Sequence, residues 1–268
     1  MRTFWNYYGG KWRVAPRYPH PCHDVVIEPF AGAAGYSLRH HRKNVILIDA
    51  DEIIAGVWSY LIGASPDEIM ALPDSVESVD DLRVPQEARW LIGFCLNSAT
   101  ASPCKTASKW MRQTKARNPE SANFWGPARK RRIASQVNEI KHWRIIHGSY
   151  TDAPNVPATW FVDPPYQVAG RHYRHGSDGI DYGHLGSWCR ERDGLVIACE
   201  NEGASWLPFR PFGAIKASSN NRNGGVSSEV VWINNHRLAQ GGELWKRQQG
   251  ASVGSPLVSG SESAIGRS

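Results

Sequence analysis

The chain has 268 residues, 41% of them hydrophobic and 10% aromatic, which fits one globular domain with or without a large insertion and excludes a disordered chain. Apolar runs such as Val25–Ile27 and Val45–Ile48 fall far short of the roughly 20 residues of a membrane span. The N-terminal residues carry no signal-peptide core, so a cytoplasmic protein without membrane contact is expected. Five cysteines, an odd number with no CxxC pair, argue against a disulfide framework and against a zinc module. A net charge of +6 permits a nucleic-acid partner without demanding one.

In chain order, the first feature is Trp5–Arg13, where Gly9-Gly10 forces a turn between aromatics and Lys11. It reads either as a lid with rings to stack and a cation to meet a carboxylate, or as an ordinary surface turn. Val25–Glu28 reads as a buried strand running into Pro29-Phe30-Ala31-Gly32-Ala33-Ala34-Gly35, and Tyr36–Arg42 reads as the start of a helix. Strand, small-residue loop and helix make a nucleotide-binding βα unit. A second apolar run, Val45–Ile48, ends in Asp49, where a carboxylate can accept hydrogen bonds from ribose hydroxyls. Asp51 is the neighbouring candidate; either aspartate can instead cap the helix expected over 52–62.

Beyond Gly63 the character changes. Residues 66–84 are acidic, and a helix is expected over 85–97 from the spacing of Ala88, Leu91, Ile92, Cys95 and Leu96. From 104 to 132 the balance inverts: Lys105, Lys109, Arg112, Lys115, Arg117, Arg129, Lys130, Arg131 and Arg132 stand against Glu120 alone, with Trp110, Asn123, Phe124 and Trp125 interleaved. Basic loops with aromatics suit phosphates and stacked bases; the alternative is a solvated helical face. Residues 143–149 give a short strand, and Tyr150 follows.

The most informative stretch is Trp160-Phe161-Val162-Asp163-Pro164-Pro165-Tyr166. The prolines end the strand and hold Asp163 and Tyr166 on a stiff turn at its carboxyl end, the edge where open α/β sheets bind ligands. Residues 167–180, with Arg171 and Arg174, form a loop that reads as a phosphate clamp or a surface loop. Asp181 caps a helix to about Glu191, Leu195–Cys199 is a buried strand, two antiparallel strands fill 213–235, and the chain from about 239 has the composition of a disordered tail.

Glycine loop, acidic strand tip and Asp-Pro-Pro-Tyr turn, in this order, resemble the Dam-like (alpha-group) DNA adenine-N6 methyltransferases over most of residues 5–235. Tyr7–Lys11 is similar to that family's first motif, Glu28–Gly32 to its cofactor loop, Asp49 to its ribose-binding acid, and Asp163–Tyr166 to its catalytic motif; Asp181–Leu185 and Glu229–Asn234 resemble weaker downstream segments. The resemblance implies a Rossmann-like α/β sheet with helices on both faces, formed by 1–63 and 143–238, and a helical, basic target-recognition insertion at 64–142. It implies S-adenosylmethionine as cofactor, held by Tyr7, Lys11, Glu28, Pro29, Phe30, Gly32, Ala34, Asp49, Ser149, Tyr150 and Asp163. Asp163, Pro164, Pro165 and Tyr166 would be catalytic on a flipped adenine in double-stranded DNA, contacted by Lys105, Lys109, Arg112, Lys115, Arg129, Arg131, Arg171 and Arg174. A monomer or weak dimer without a metal is expected. The sequence departs from the family at Ala34, where glycine is usual, and at Ser149-Tyr150, where an acid often precedes the aromatic; Asp152 is a substitute for that acid if the strand ends late. Cytosine-N4 or RNA amino-methylation, or a DNA-binding relative that has lost catalysis, stay open as alternatives.

Overall fold

In a computed structural model, residues 1–98, 100–167, 177–216 and 226–234 are described. Seven strands form one sheet: β1 (Val25–Glu28), β2 (Asn44–Asp49), β3 (Arg144–His147), β4 (Ala158–Val162), β5 (Gly194–Asn201), β6 (Arg210–Lys216) and β7 (Val226–Ile233). Among the described residues six α-helices accompany them: α1 (Glu52–Gly63), α2 (Pro66–Ala71), α3 (Gln86–Leu96), α4 (Lys109–Arg117), α5 (Pro127–Val137) and α6 (Tyr182–Arg190). The strand order is β3-β2-β1-β4-β5-β7-β6. β1 to β5 are parallel, and β7 is antiparallel to both of its neighbours. This is the Rossmann-like α/β sheet that the sequence predicts, with the direction of winding reversing between β1 and β4. A crevice opens at the carboxyl ends of the strands at such a reversal.

The central strands are buried on both sides, as β4 shows residue by residue. Trp160 and Val162 pack with Leu185, Trp188 and Cys189 of α6 on one face. Phe161 points the other way, stacked on Tyr36 at 4.5 Å between ring centres and met edge-on by Tyr18 at 5.0 Å. α1 packs along β2 and β3. Its Trp58 gathers Phe4 and Trp5 of the N-terminal segment at 5.8 and 5.0 Å, and Phe94 of α3 stacks on Trp5 at 5.7 Å. These rings fix the course of residues 4–8 and thereby aim the turn that follows them.

One expected element is shorter than its sequence suggested. The helix starting at Tyr36 is a single 3-10 turn, Ser37–His40. Tyr36 is held against Phe161, Ser37 N donates to Glu28 at 2.6 Å, and β2 begins at Asn44, which leaves no length for further turns.

Between β2 and β3 the described residues of 64–142 contain helices α2 to α5, and they belong to the same compact unit, Met1–Asn234, as the sheet. Two cations from the basic run hold them together. Lys130 is buried and its Nζ takes the carbonyls of Met70 and Leu72 at the end of α2, at 2.9 and 2.6 Å, beside Asp74 at 2.6 Å. Arg129 is fully buried; it donates to Phe4 O, Asn6 Oδ1 and Asn123 O at 3.2, 3.3 and 2.9 Å. Arg129 therefore does not belong to a nucleic-acid-binding surface, and the sequence expectation is corrected there. The expected tail from 239 lies outside the described residues.

Truncating Arg129 to alanine strands buried carbonyls. It is expected to lower the free energy of unfolding by about 3 kcal/mol. Lys109→Ala on the exposed face of α4 should change it by less than about 0.5 kcal/mol. Urea denaturation of both variants checks the contrast.

Candidate active site at the sheet's carboxyl edge

The loop after β1 is shaped by backbone conformation and pinned from three directions. Gly32 and Ala34 both adopt left-handed backbone, with φ of 44° and 47°. Ala31 N donates to Ile48 O at 3.0 Å, Trp58 Nε1 donates to Gly32 O at 2.8 Å, and Gly32 N donates to Asp49 Oδ2 at 2.9 Å. Gly35 has a different task. A Cβ there would stand 2.5 Å from Trp12 N, so glycine lets the N-terminal segment lie directly on the loop. Tyr7 closes over Gly32, where a Cβ would come within 3.0 Å of its ring. Residues 7–11 thereby form one wall of the cavity.

The two aspartates divide their work. Asp51 accepts from Ile53 N at 2.9 Å and caps α1. Asp49, at the tip of β2, holds both Gly32 N and Asp51 N with its carboxylate and lines the cavity beneath the lid.

The proline turn is clamped after β4. Tyr182 of α6 donates to Pro165 O at 2.5 Å, and Gln167 N donates to Glu200 Oε1 at 2.8 Å. Glu200 also receives Asn201 N and Trp206 Nε1, at 2.8 and 3.2 Å. Lys11 reaches in from the lid. Its Nζ stands 3.1 Å from Asp163 Oδ1, donates to Tyr166 Oη at 2.5 Å, and lies 3.9 Å from Glu229 Oε1 on β7. Tyr18 donates to the same Glu229 oxygen.

Burial dominates the electrostatics, and the charges then oppose it. Burial alone would discharge Lys11, but Asp163, Tyr166 and Glu229 together hold its pKa well above the ordinary lysine value. Burial pushes the Asp163 carboxyl up, and the Lys11 ammonium pulls it back down. Burial likewise keeps Tyr166 a neutral phenol. Glu28 has no cation beside it: burial raises it to about 8, against the opposing hydrogen bond from Ser37.

All eleven residues singled out as cofactor contacts line one cavity of about 290 Å³, and Pro165 joins them. Pro164 is buried behind the turn, and Tyr166 is turned toward Lys11 rather than into the cavity lining. Ser149 lines the cavity but spends its side chain capping the 3-10 turn Tyr150–Asp152. Asp152 returns its carboxylate to Ser149 N at 2.7 Å and is absent from the cavity lining, so it does not replace the missing acid. Tyr150 stacks on Phe30 with ring centres 5.5 Å apart, and its hydroxyl meets His184 Nδ1 at 2.6 Å.

The other predicted contacts scatter. Lys109 and Arg112 are exposed on α4; Lys105 and Arg131 are exposed but paired with Asp80 and Glu120, at 2.8 and 3.2 Å. Lys115 is half-buried, its Nζ on Trp125 O at 2.7 Å. Arg171 and Arg174 lie outside the described residues. Sequence reasoning missed the direct bond from Lys11 to the turn, and with it Tyr18 and the role of Glu229. A carboxylate opening the apolar run Val230–Ile233 was the available signal, because an acid on a central strand needs a buried partner.

Among the described residues no cluster of three or more His, Cys, Asp or Glu is arranged to hold a metal ion, and no helix is long and apolar enough to cross a membrane. No protein-family model and no curated protein matches the chain. Two solved structures of the rRNA methyltransferase aviRa from Streptomyces viridochromogenes are similar at 15% identity, covering 82% of this chain and 80% of theirs, with TM-scores of 0.36 and 0.37.

Two substitutions test the loop. Replacing Ala34 by glycine relieves a left-handed alanine, at about 1–2 kcal/mol, and adds unfolded-state entropy worth about 0.5–1 kcal/mol. A net gain of about 0.5–1 kcal/mol in urea denaturation is expected. For Glu28, the folded state keeps a proton that the unfolded chain has lost between pH 4.5 and about 8. Its contribution is therefore full below the unfolded value and falls as pH rises through that window, by up to about 1.4 kcal/mol per pH unit. Glu28→Gln keeps the oxygen that accepts from Ser37 and removes this slope. The stability difference between Glu28→Gln and the parent, without ligand, should grow in favour of the variant from pH 5 to 8.

Proposed function

We propose that the chain is an S-adenosylmethionine-dependent methyltransferase acting on the exocyclic amine of an adenine flipped out of double-stranded DNA. One observation carries the reading: the glycine loop, the Asp49 strand tip and the proline turn open onto a single cavity at the reversal between β1 and β4.

The residues fit the cofactor. The positive-φ loop lets a ligand approach the backbone, Asp49 stands where ribose hydroxyls would donate, and Phe30 and Tyr150 form an aromatic wall for a flat ring. When bound, the cofactor supplies an electrophilic methyl group on a sulfonium. The rest is done by the chain. The adenine amine is a poor nucleophile because its lone pair is delocalised into the ring. Asp163 and the Pro164 carbonyl accept its two N–H bonds and localise that pair toward the methyl. Burial pushes the Asp163 carboxyl up and Lys11 opposes that push, which favours the acceptor form the amine needs. Tyr166, whose ring has Lys11 Nζ 4.7 Å from its centre, has to turn toward the cavity to stack on the extruded base. In a single displacement the amine nitrogen bonds the methyl carbon as the carbon–sulfur bond breaks. The proton the nitrogen then sheds leaves along its hydrogen bond to Asp163 and on to water, so orientation and electrostatics are the protein's main contribution. The helices of 64–142 supply target contacts.

Incubation with methyl-labelled cofactor and an adenine-containing duplex tests the reading, and nucleoside digestion of the product separates N6-adenine from N4-cytosine. Label in an RNA of the same sequence, and none in DNA, would replace the DNA reading. Asp163→Ala should lower kcat by a factor of about 10³ while cofactor affinity by calorimetry stays within a few-fold. Loss of both together would make Asp163 a structural residue.

A further inference from the structure

α4 carries an aromatic side chain that the fold has no use for. Its inner face is satisfied: Met111 is buried, and Lys115 is tied to Trp125 O at 2.7 Å. Its outer face, Lys109, Trp110, Arg112, Gln113, Ala116 and Arg117, is exposed from end to end and contains no acid. Trp110 keeps 61% of its surface in water, the larger of the two exposed large hydrophobic side chains among the described residues. No acidic side chain is paired with Lys109, Arg112 or Arg117 among the described residues, whereas Lys105 and Arg131 are neutralised and Arg129 and Lys130 are buried. Besides half-buried Arg132 on α5, the basic run is thereby reduced to three exposed cations, all on the helix that carries Trp110; Arg112 also donates to Ala107 O at 2.5 Å.

The helix is also tethered to the cavity wall. Ser108 caps α4 and takes Asn97 Oδ1 on its own N–H at 2.9 Å, and Ser98 Oγ reaches Met111 Sδ at 3.6 Å. Two residues on, Thr100 bridges Tyr7 and accepts from Tyr8 N at 3.2 Å. Both tyrosines line the cavity. Through residues 97–100 the inner side of α4 is thus linked to two tyrosines of the cavity wall, and its outer face is left open.

We infer that this face of α4 is a DNA-contacting surface on which Trp110 stacks against a base while Lys109, Arg112 and Arg117 meet phosphates. The inference rests on the DNA reading above. A cation row alone would suit any polyanion, but an uncharged, exposed ring adds a partner with a flat π-face. Bases inside an intact duplex hide their faces, so Trp110 meets its base where the helix is opened for extrusion.

The two kinds of contact separate in a salt titration. With a fluorescent adenine-containing duplex, Trp110→Ala should weaken binding about 10- to 100-fold at every salt concentration, and the log–log salt slope should stay that of the parent. Trp110→Phe should retain most of the affinity. Lys109→Ala and Arg117→Ala should each reduce the slope by about one. Thermal unfolding at the parent temperature confirms that each variant is folded. If the parent binds and methylates the duplex but Trp110→Ala binds as the parent does, or alters only the slope, the stacking role is overturned and the DNA reading stands. If the parent prefers RNA of the same sequence, or binds neither, the DNA reading falls and this inference falls with it.

Discussion

One ammonium group organises the site. Lys11 is buried, and a buried cation is tolerated only when its charge and its N–H bonds are matched. It finds Asp163 and Tyr166 at the end of β4 and Glu229 on β7. Three separate pieces of chain are thus bound to one point. The N-terminal segment has to come down onto the glycine loop for Lys11 to arrive, and Gly35 is what lets it come so close. The same contact sets the local electrostatics, because the ammonium opposes the upward push that burial gives the Asp163 carboxyl.

Much of this was legible in the residues, and the failures have physical causes. The strands and the caps at Asp51 and Asp181 followed from apolar runs, polar caps and prolines, which act locally, whereas the full cavity-lining set came from the family resemblance of the motifs. Arg129 did not, because a one-dimensional charge run says nothing about which way a helix faces. Yet the signal was present: Arg129, Ile133 and Val137 recur at helical spacing, with Lys130 and Ala134 beside them, and this stripe is the buried one. Lys11 was read as a cation for a ligand's carboxylate because its actual partners lie far along the chain. Asp152 was a substitute for the family's acid only if the strand ended late; serine followed three residues later by an acid is also a capping box, and the backbone claims Asp152 while Ser149 still lines the cavity.

The strands at the site carry acids that the sheet has to satisfy. Glu200 on β5 spends its carboxylate on Gln167, Asn201 and Trp206 and so fixes the exit of the proline turn. Glu229 does the corresponding work for the lid, through Tyr18 and Lys11. Each is a polar group placed in the core where it converts the rigidity of the sheet into the position of a loop. Asp163 sits between them on a turn that cannot relax, with Pro165 held from behind by Tyr182.

These ties also impose an order of assembly. Lys11 and Tyr166 are 155 residues apart in the chain, and Tyr18 and Glu229 are 211 apart. Loops of that length are entropically costly to close, and contacts of such separation form after local structure exists to support them. The antiparallel β7, wedged between β5 and β6, has to be in place before Glu229 can complete the ammonium's surroundings. On a ribosome, the glycine loop and the strands that carry it emerge long before the residue that finishes the site. A nascent chain therefore holds Lys11 and its glycine loop without the last carboxylate of their surroundings until β7 has been made.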